Sequence, residues 1–119
     1  IRYIVDDVLK FVEREHRRGR TYHGIIMDPP SYGRGPSGEM WKLEEQLNEL
    51  IEACKQILDP KPVFLLINAY TTGFSYTVLQ NILRISLPKA EIQTGEIALP
   101  IKRRDMYLPC GIYGRVRFK

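Results

Sequence analysis

The chain has 119 residues, 44% of them hydrophobic and 27% charged, with a net charge of +4. That length supports one domain with one core, and that mix excludes disorder and collagen. The longest wholly apolar run, Val63 to Ile67, is far short of the ~20 residues a bilayer helix needs, and two cysteines do not make a disulfide scaffold, which points to a reducing, cytoplasmic setting.

The opening IRYIVDDV carries acids where a signal peptide has a basic region. It starts on Ile rather than Met and directly on a strand-like run, so it reads as a piece of a longer protein. Arg2 to Val5 is expected to be a short strand, ended by Asp6 and Asp7. Asp7 suits the N-cap of a helix whose apolar face is Val8, Leu9, Phe11 and Val12. That helix is predicted to run to about Arg18, with Gly19 as its stop and His16, Arg17 and Arg18 at the negative end of its dipole.

Tyr22 to Met27 (YHGIIM) reads as a strand buried on both faces. Asp28-Pro29-Pro30 stops it, and Ser31 to Gly38 (SYGRGPSG) reads as a loop. From Glu39 to Leu58 the residues Met40, Leu43, Leu47, Leu50, Ile51, Cys54, Ile57 and Leu58 recur at helical spacing. Asp59-Pro60-Lys61-Pro62 then forces a turn. Val63 to Asn68 reads as another buried strand, and Phe74 to Leu87 as a helix broken by Pro88. Ala90 to Ile101 and Met106 to Phe118 read as a closing pair of strands around the charged turn Lys102 to Asp105, the second bent at Gly111 or Gly114. Three strand–helix units predict a parallel sheet with helices on both faces, and the final pair predicts an antiparallel hairpin.

In an open parallel sheet, ligands bind beyond the carboxyl ends of the strands. Here those ends carry Asp6-Asp7, Asp28-Pro29-Pro30-Ser31-Tyr32, and Asn68-Ala69-Tyr70-Thr71-Thr72. Two successive prolines fix two φ angles and supply no N–H, so their carbonyls are expected to stay open in a stiff turn. With the Asp28 carboxylate and the flat Tyr32 ring, such a loop suits a planar base bearing an exocyclic amine. Plain turn chemistry accounts for Asp and Pro there equally well.

The run IRYIVDDVLKFVERE, then YHGIIMDPPSYGRG, then GEMWKL resembles the second half of a class I S-adenosylmethionine-dependent methyltransferase. DPPSYG is similar to that superfamily's D/N-PP-Y/F catalytic loop, and IVDDVLKF to its acidic strand end that meets the cofactor adenine. The nearest resemblance is to the bacterial 23S rRNA cytosine-C5 methyltransferase group, and it extends over residues 1 to 118. It implies an α/β fold of Rossmann-like class I type, present in part from the third strand onward: a three-layer sandwich with a C-terminal antiparallel β-hairpin. Residues 1–119 would be the C-terminal portion of one catalytic domain, with the Gly-rich half of the cofactor site in a missing N-terminal half. The first strand would then stand apart from the other four, dock in a non-native way, or swap between chains.

By the same resemblance, the cofactor is S-adenosylmethionine. Asp6, Asp7 and Val8 would meet its adenine, and Asp28 its methionine end. Asp28, Pro29, Pro30 and Tyr32 would form the catalytic loop around the acceptor. An N-cap role for Asp7 is compatible, one oxygen serving each task. Cytosine-C5 chemistry needs a thiolate, and relatives that perform it place a Cys near the segment that here reads LLINAYTTG, which has none. Cys54 reads as core and Cys110 as structural, so direct attack by an amine nitrogen is the expected chemistry.

Two basic clusters, Arg14/Arg17/Arg18/Arg20 and Lys102/Arg103/Arg104, suit either phosphate contacts or solvated surface. Trp41 suits packing on the long helix or stacking on a base. His16 and His23 have no second ligand at metal spacing, so no metal is expected. The function expected is methyl transfer to a base in ribosomal or other RNA. A catalytically silent RNA-binding module of the same fold, or a methyltransferase acting on a protein or small molecule, are the alternatives.

Overall fold

The computed structural model describes residues 1–35 and 37–119. Asp7 starts the first helix, α1 (Val8–Arg17), by accepting the Lys10 N–H on its side chain at 3.0 Å. Gly19, at φ +68°, turns the chain out of it, as a left-handed residue does after a helix. The strand β1 (Gly24–Met27) follows. Next come two short strands, β2 (Tyr32–Arg34) and β3 (Met40–Lys42), and the helix α2 (Leu43–Lys55). The remaining elements are β4 (Phe64–Ala69), α3 (Tyr76–Ser86), β5 (Glu91–Pro100) and β6 (Tyr107–Arg117). Among the described residues, no helix is long and apolar enough to cross a membrane.

The main sheet has the order β1-β4-β6-β5. β1 lies parallel to β4, with Gly24 opposite Phe64 and Met27 opposite Ile67. β6 runs antiparallel to both β4 and β5. The α/β class, the mixed sheet and the closing antiparallel pair are as expected.

Alternation along β4 sets the core. Leu65 and Ile67 have no solvent exposure and Ala69 almost none. With Met27, Ile112 and Val116 they form one sheet face beneath Val12 of α1, Leu47, Leu50, Ile51 and Cys54 of α2, and Leu79 and Leu83 of α3. Gly114 lets α3 settle onto that face: a Cβ there would stand 2.7 Å from a Leu83 methyl carbon. The bend in β6 falls at the other glycine. Ile97 faces Gly111 while Ala98 faces Pro109, so Cys110 is the extra residue of a bulge. Gly111 takes φ +150°, and a Cβ on it would lie 2.5 Å from the Ala69 carbonyl oxygen.

Four expectations are corrected. Residues 1–5 form no strand and are exposed; a strand exists through its ladder bonds, and among the described residues no strand pairs with them. β1 begins at Gly24 rather than Tyr22, which makes a lone bridge to Leu58. It is not buried on both faces: Ile26 is 68% exposed, because this chain places its helices over one face of the sheet and supplies two layers, not three. Finally, SYGRGPSGEMWK is not loop followed by helix. Tyr32–Arg34 pairs antiparallel with Met40–Lys42, closed by the Gly35 N–H donating to the Glu39 carbonyl at 2.8 Å. The Met40 position fits the helical period of α2 by coincidence, and the Gly-rich turn between two short runs was the hairpin signal.

Replacement of Ile67 by Ala is expected to cost about 2–5 kcal/mol through lost burial and a residual cavity. Urea unfolding followed by circular dichroism measures it, and an unchanged midpoint would show that the core is not centred on β4.

Candidate functional site

A cavity of about 370 Å³ opens at the carboxyl end of β1. One wall is the start of α1, with Asp7, Val8 and Leu9. The floor is Ile26, Met27 and Leu50, and the opposite wall is Asp28-Pro29-Pro30 with Gly33, Arg34, Gly35 and Trp41 of the β2–β3 hairpin. Its lining is thus mainly apolar, with a few polar groups at the rim, the usual character of a small-molecule site.

Two of the three strand ends therefore meet, although the first is not a strand. The third does not reach the cavity: Ala69 is buried under the sheet's bulge, and the Tyr70 ring lies beside Gly111. The Asp7 carboxylate spends Oδ1 on the helix cap, and among the described residues Oδ2 has no hydrogen-bond donor. The N–H groups of Val8 and Leu9 are also without partners among the described residues, being the first two donors of a helix. An acceptor and two donors therefore line one side of an apolar slot.

Asp6 belongs elsewhere. Its Oδ2 takes a 2.7 Å ion pair from Arg14, and its Oδ1 accepts the Asp7 N–H at 2.8 Å. The Arg14 hydrogen bond, foremost, holds its carboxyl below the ordinary aspartate value. It braces the cap from outside the cavity wall.

The Asp-Pro-Pro loop is stiffer than its prolines alone make it. The Trp41 indole N–H donates to the Pro30 carbonyl at 2.7 Å, and the Leu43 N–H donates to the Ser31 carbonyl at 3.1 Å. The Pro30 carbonyl is therefore not open, as the sequence led one to expect, but tied to the hairpin. Trp41 packs against the core and also lines the cavity. Tyr32 is exposed and lies outside the cavity wall, its hydroxyl accepting from Arg34 Nε at 3.1 Å. Asp28 is exposed at the mouth.

Neither thiol lines the cavity. Cys54 is buried, its Sγ–H pointing to Met27 Sδ at 3.7 Å, and burial pushes its pKa up to about 11. Cys110 donates to the Leu108 carbonyl at 3.2 Å. The first basic cluster is largely paired: besides Arg14, both Arg18 and Arg20 lie 3.8 Å from the buried Glu15, which also accepts the Tyr22 hydroxyl at 2.8 Å.

Among solved structures, the chain is similar to a SAM-dependent methyltransferase from Agrobacterium tumefaciens, with 32% identity, a TM-score of 0.89, and coverage of 98% of this chain and 40% of that one. A methyltransferase of Streptococcus mutans is 17% identical with a TM-score of 0.70, covering 96% of this chain and 30% of the other. SMU.776, assigned as a methyltransferase and solved in complex with SAH, is 18% identical with a TM-score of 0.69, covering 94% and 30%. These likenesses show a methyltransferase-like α/β fold, and this chain spans well under half the length of each of those proteins. No protein-family model and no curated relative matches it.

Replacing Trp41 by Phe removes the donor to Pro30 and is expected to cost about 0.5–1.5 kcal/mol; hydrogen exchange at Gly33 and Gly35 should accelerate, and unchanged rates would show that the indole does not hold the loop. The Asp6–Arg14 pair has a defined pH signature. A carboxyl held low contributes stability above its ordinary value of 3.8 and loses it as pH falls through the lowered value. Asp6→Asn should therefore lower the melting temperature at neutral pH, and the gap from the parent chain should close in strong acid.

Proposed function

We propose that this chain is the C-terminal part of the catalytic domain of an S-adenosylmethionine-dependent methyltransferase, which methylates an amine nitrogen of a base in ribosomal or other RNA. The observation that carries the reading is the cavity shared by the α1 N-terminus and the Asp-Pro-Pro loop, in a chain 32% identical over 98% of its length to part of a SAM-dependent methyltransferase.

The lining fits such a cofactor. An adenine edge presents an amine donor beside ring-nitrogen acceptors. Asp7 Oδ2 offers the acceptor for that amine, and the Val8 N–H the donor for the ring nitrogen. Ile26, Met27 and Leu50 offer the ring an apolar bed. Asp7 meets both demands without conflict, because its cap uses only one oxygen.

When bound, S-adenosylmethionine supplies a methyl group on a sulfonium, open to direct attack by a nitrogen lone pair. The work left to the protein is positioning, which is worth much of a barrier when geometry is fixed in advance. Asp28 and the Pro29 carbonyl accept the hydrogens of the acceptor amine and aim its lone pair. Pro30, clamped by Trp41, keeps that pair of acceptors in place. Tyr32, at the mouth on the solvent side, stacks on the incoming base. Cytosine C5 is disfavoured as the target, since neither Cys54 nor Cys110 stands at the cavity. The remaining part of the cofactor site comes from a further segment of the same protein, which packs on the uncovered sheet face and beside residues 1–5.

Calorimetric titration with S-adenosylmethionine, beside a methylation assay on ribosomal RNA by the longer protein, tests this. Asp7→Asn keeps a capping oxygen but turns the second acceptor into a donor. It should weaken cofactor binding about tenfold or more, one mismatched buried hydrogen bond being worth about 1–3 kcal/mol, and leave helicity intact. Asp28→Ala should abolish transfer while sparing the fold, as circular dichroism would show; full activity in that variant would sink the catalytic assignment. Strong RNA binding without cofactor binding would instead assign a silent module of the same fold.

A further inference from the structure

β4 ends at Ala69, which pairs with Ile112. β6 reaches that level from well outside it. Tyr107 to Gly111, paired with Ile97 to Pro100 of β5, continues beyond the carboxyl end of β4 by roughly 15 Å at strand spacing. β1 runs parallel to β4, so this two-stranded arm projects past the same rim on which the Asp-Pro-Pro loop sits.

Three features set the arm apart from an ordinary hairpin. Its apolar residues are not folded against anything: Tyr107 is 66% exposed, Leu99 58% and Leu108 55%, with Ile101 and Met106 exposed as well. A run of exposed apolar groups of this kind marks an interaction surface. Its tip carries Lys102, Arg103 and Arg104, and none of the three has a carboxylate within salt-bridge distance among the described residues. Of the arginines around the end of α1, Arg14 pairs with Asp6, and Arg18 and Arg20 share Glu15. Lastly, the arm is aimed. The Cys110 bulge twists it, and Gly111 is held against the Ala69 carbonyl and the Tyr70 ring, where no side chain fits. At the tip Arg103 sits at φ +69°, a conformation a non-glycine residue adopts rarely.

We propose that residues 99–108 form an arm that grips the polynucleotide flanking the acceptor base. Lys102, Arg103 and Arg104 neutralise phosphates, and the flat surface made by Tyr107 opposite Pro100 receives an unstacked base. Cations beside an exposed aromatic and apolar ribbon are the combination that binds single strands, whereas an acidic protein surface would use the cations and leave the ring unexplained. A strand whose base enters the cavity continues outward past the same rim, where the arm stands. The inference rests on the RNA-directed reading above, and it assigns to the arm a task that the cavity cannot perform.

The test is fluorescence anisotropy of the full chain with a labelled single-stranded RNA of about 12 nucleotides, at salt from about 50 to 200 mM. Cofactor calorimetry is run on the same samples. The triple variant K102Q/R103Q/R104Q should weaken RNA binding about tenfold at low salt and flatten the log–log salt slope by about 2, three phosphates at roughly 0.7 each. Y107A should weaken binding roughly fivefold or more with the salt slope unchanged, a split that a merely structural role would not produce. Circular dichroism and cofactor affinity should match the parent in both variants. RNA binding that is absent, or that survives the triple variant undiminished, overturns the arm assignment, and retained cofactor affinity then leaves the methyltransferase reading standing. Arm-dependent RNA binding without cofactor affinity upholds the arm and removes the enzymatic reading. Sedimentation showing a dimer that Y107A dissociates, with RNA affinity unaltered, also overturns it in favour of a second copy of the chain.

Discussion

The alternation of buried residues along β4 is the constraint from which the rest follows. Leu65, Ile67 and Ala69 all face the helices, and a slip of one residue would turn them all to solvent. Leu65 and Ile67 are each worth about 1.5–3 kcal/mol of burial, more than a ladder bond contributes net. With β4 fixed, β1 has one register beside it and β6 another. Those registers decide that Asp28-Pro29-Pro30 leaves the sheet next to the start of α1, and that the far end of the β5–β6 ribbon overhangs the same rim.

Around the cavity, local devices do what the core cannot. A loop with two prolines is stiff in φ but still needs an anchor at its far end, and the Trp41 indole provides it through the Pro30 carbonyl. The Asp7 cap and the Asp6–Arg14 pair fix the opposite wall. Each contact is modest by itself, and exposed ion pairs of this kind contribute little to global stability. Their effect is geometric: they hold acceptors and donors on either side of an apolar slot. A fold of this class hosts many chemistries, so the functional reading rests on that slot and on the likeness to a methyltransferase together.

The sheet is covered on one face only. Ile26 and Phe64 are exposed on the other, and Phe64 leans over Gly24, where a side chain would clash with its ring. The long overhang of β5 and β6 is a separate matter. Its exposure lies beyond the sheet rim, and among the described residues its three cations have no ion pair, whereas three arginines of the α1 cluster do.

The sequence by itself determined the elements whose signals are local. Asp7 and Gly19 bound the first helix and Pro88 follows the last, because capping and helix breaking act within a few residues. Alternation and apolar runs located β4, β5 and β6, and the strand-end rule picked out Asp7 and Asp28 as neighbours in advance. Only the tertiary structure decided the rest, and the reason is the same in each case: the outcome depended on a partner distant in the chain. Arg2–Val5 has strand composition but no neighbour to bond. Tyr32–Arg34 and Met40–Lys42 pair across a glycine-rich turn that looked like a loop joined to a helix. The Pro30 carbonyl looked open until Trp41 folded back onto it, and Asp6 looked like a cofactor ligand until Arg14, a turn and a half along α1, claimed its carboxylate.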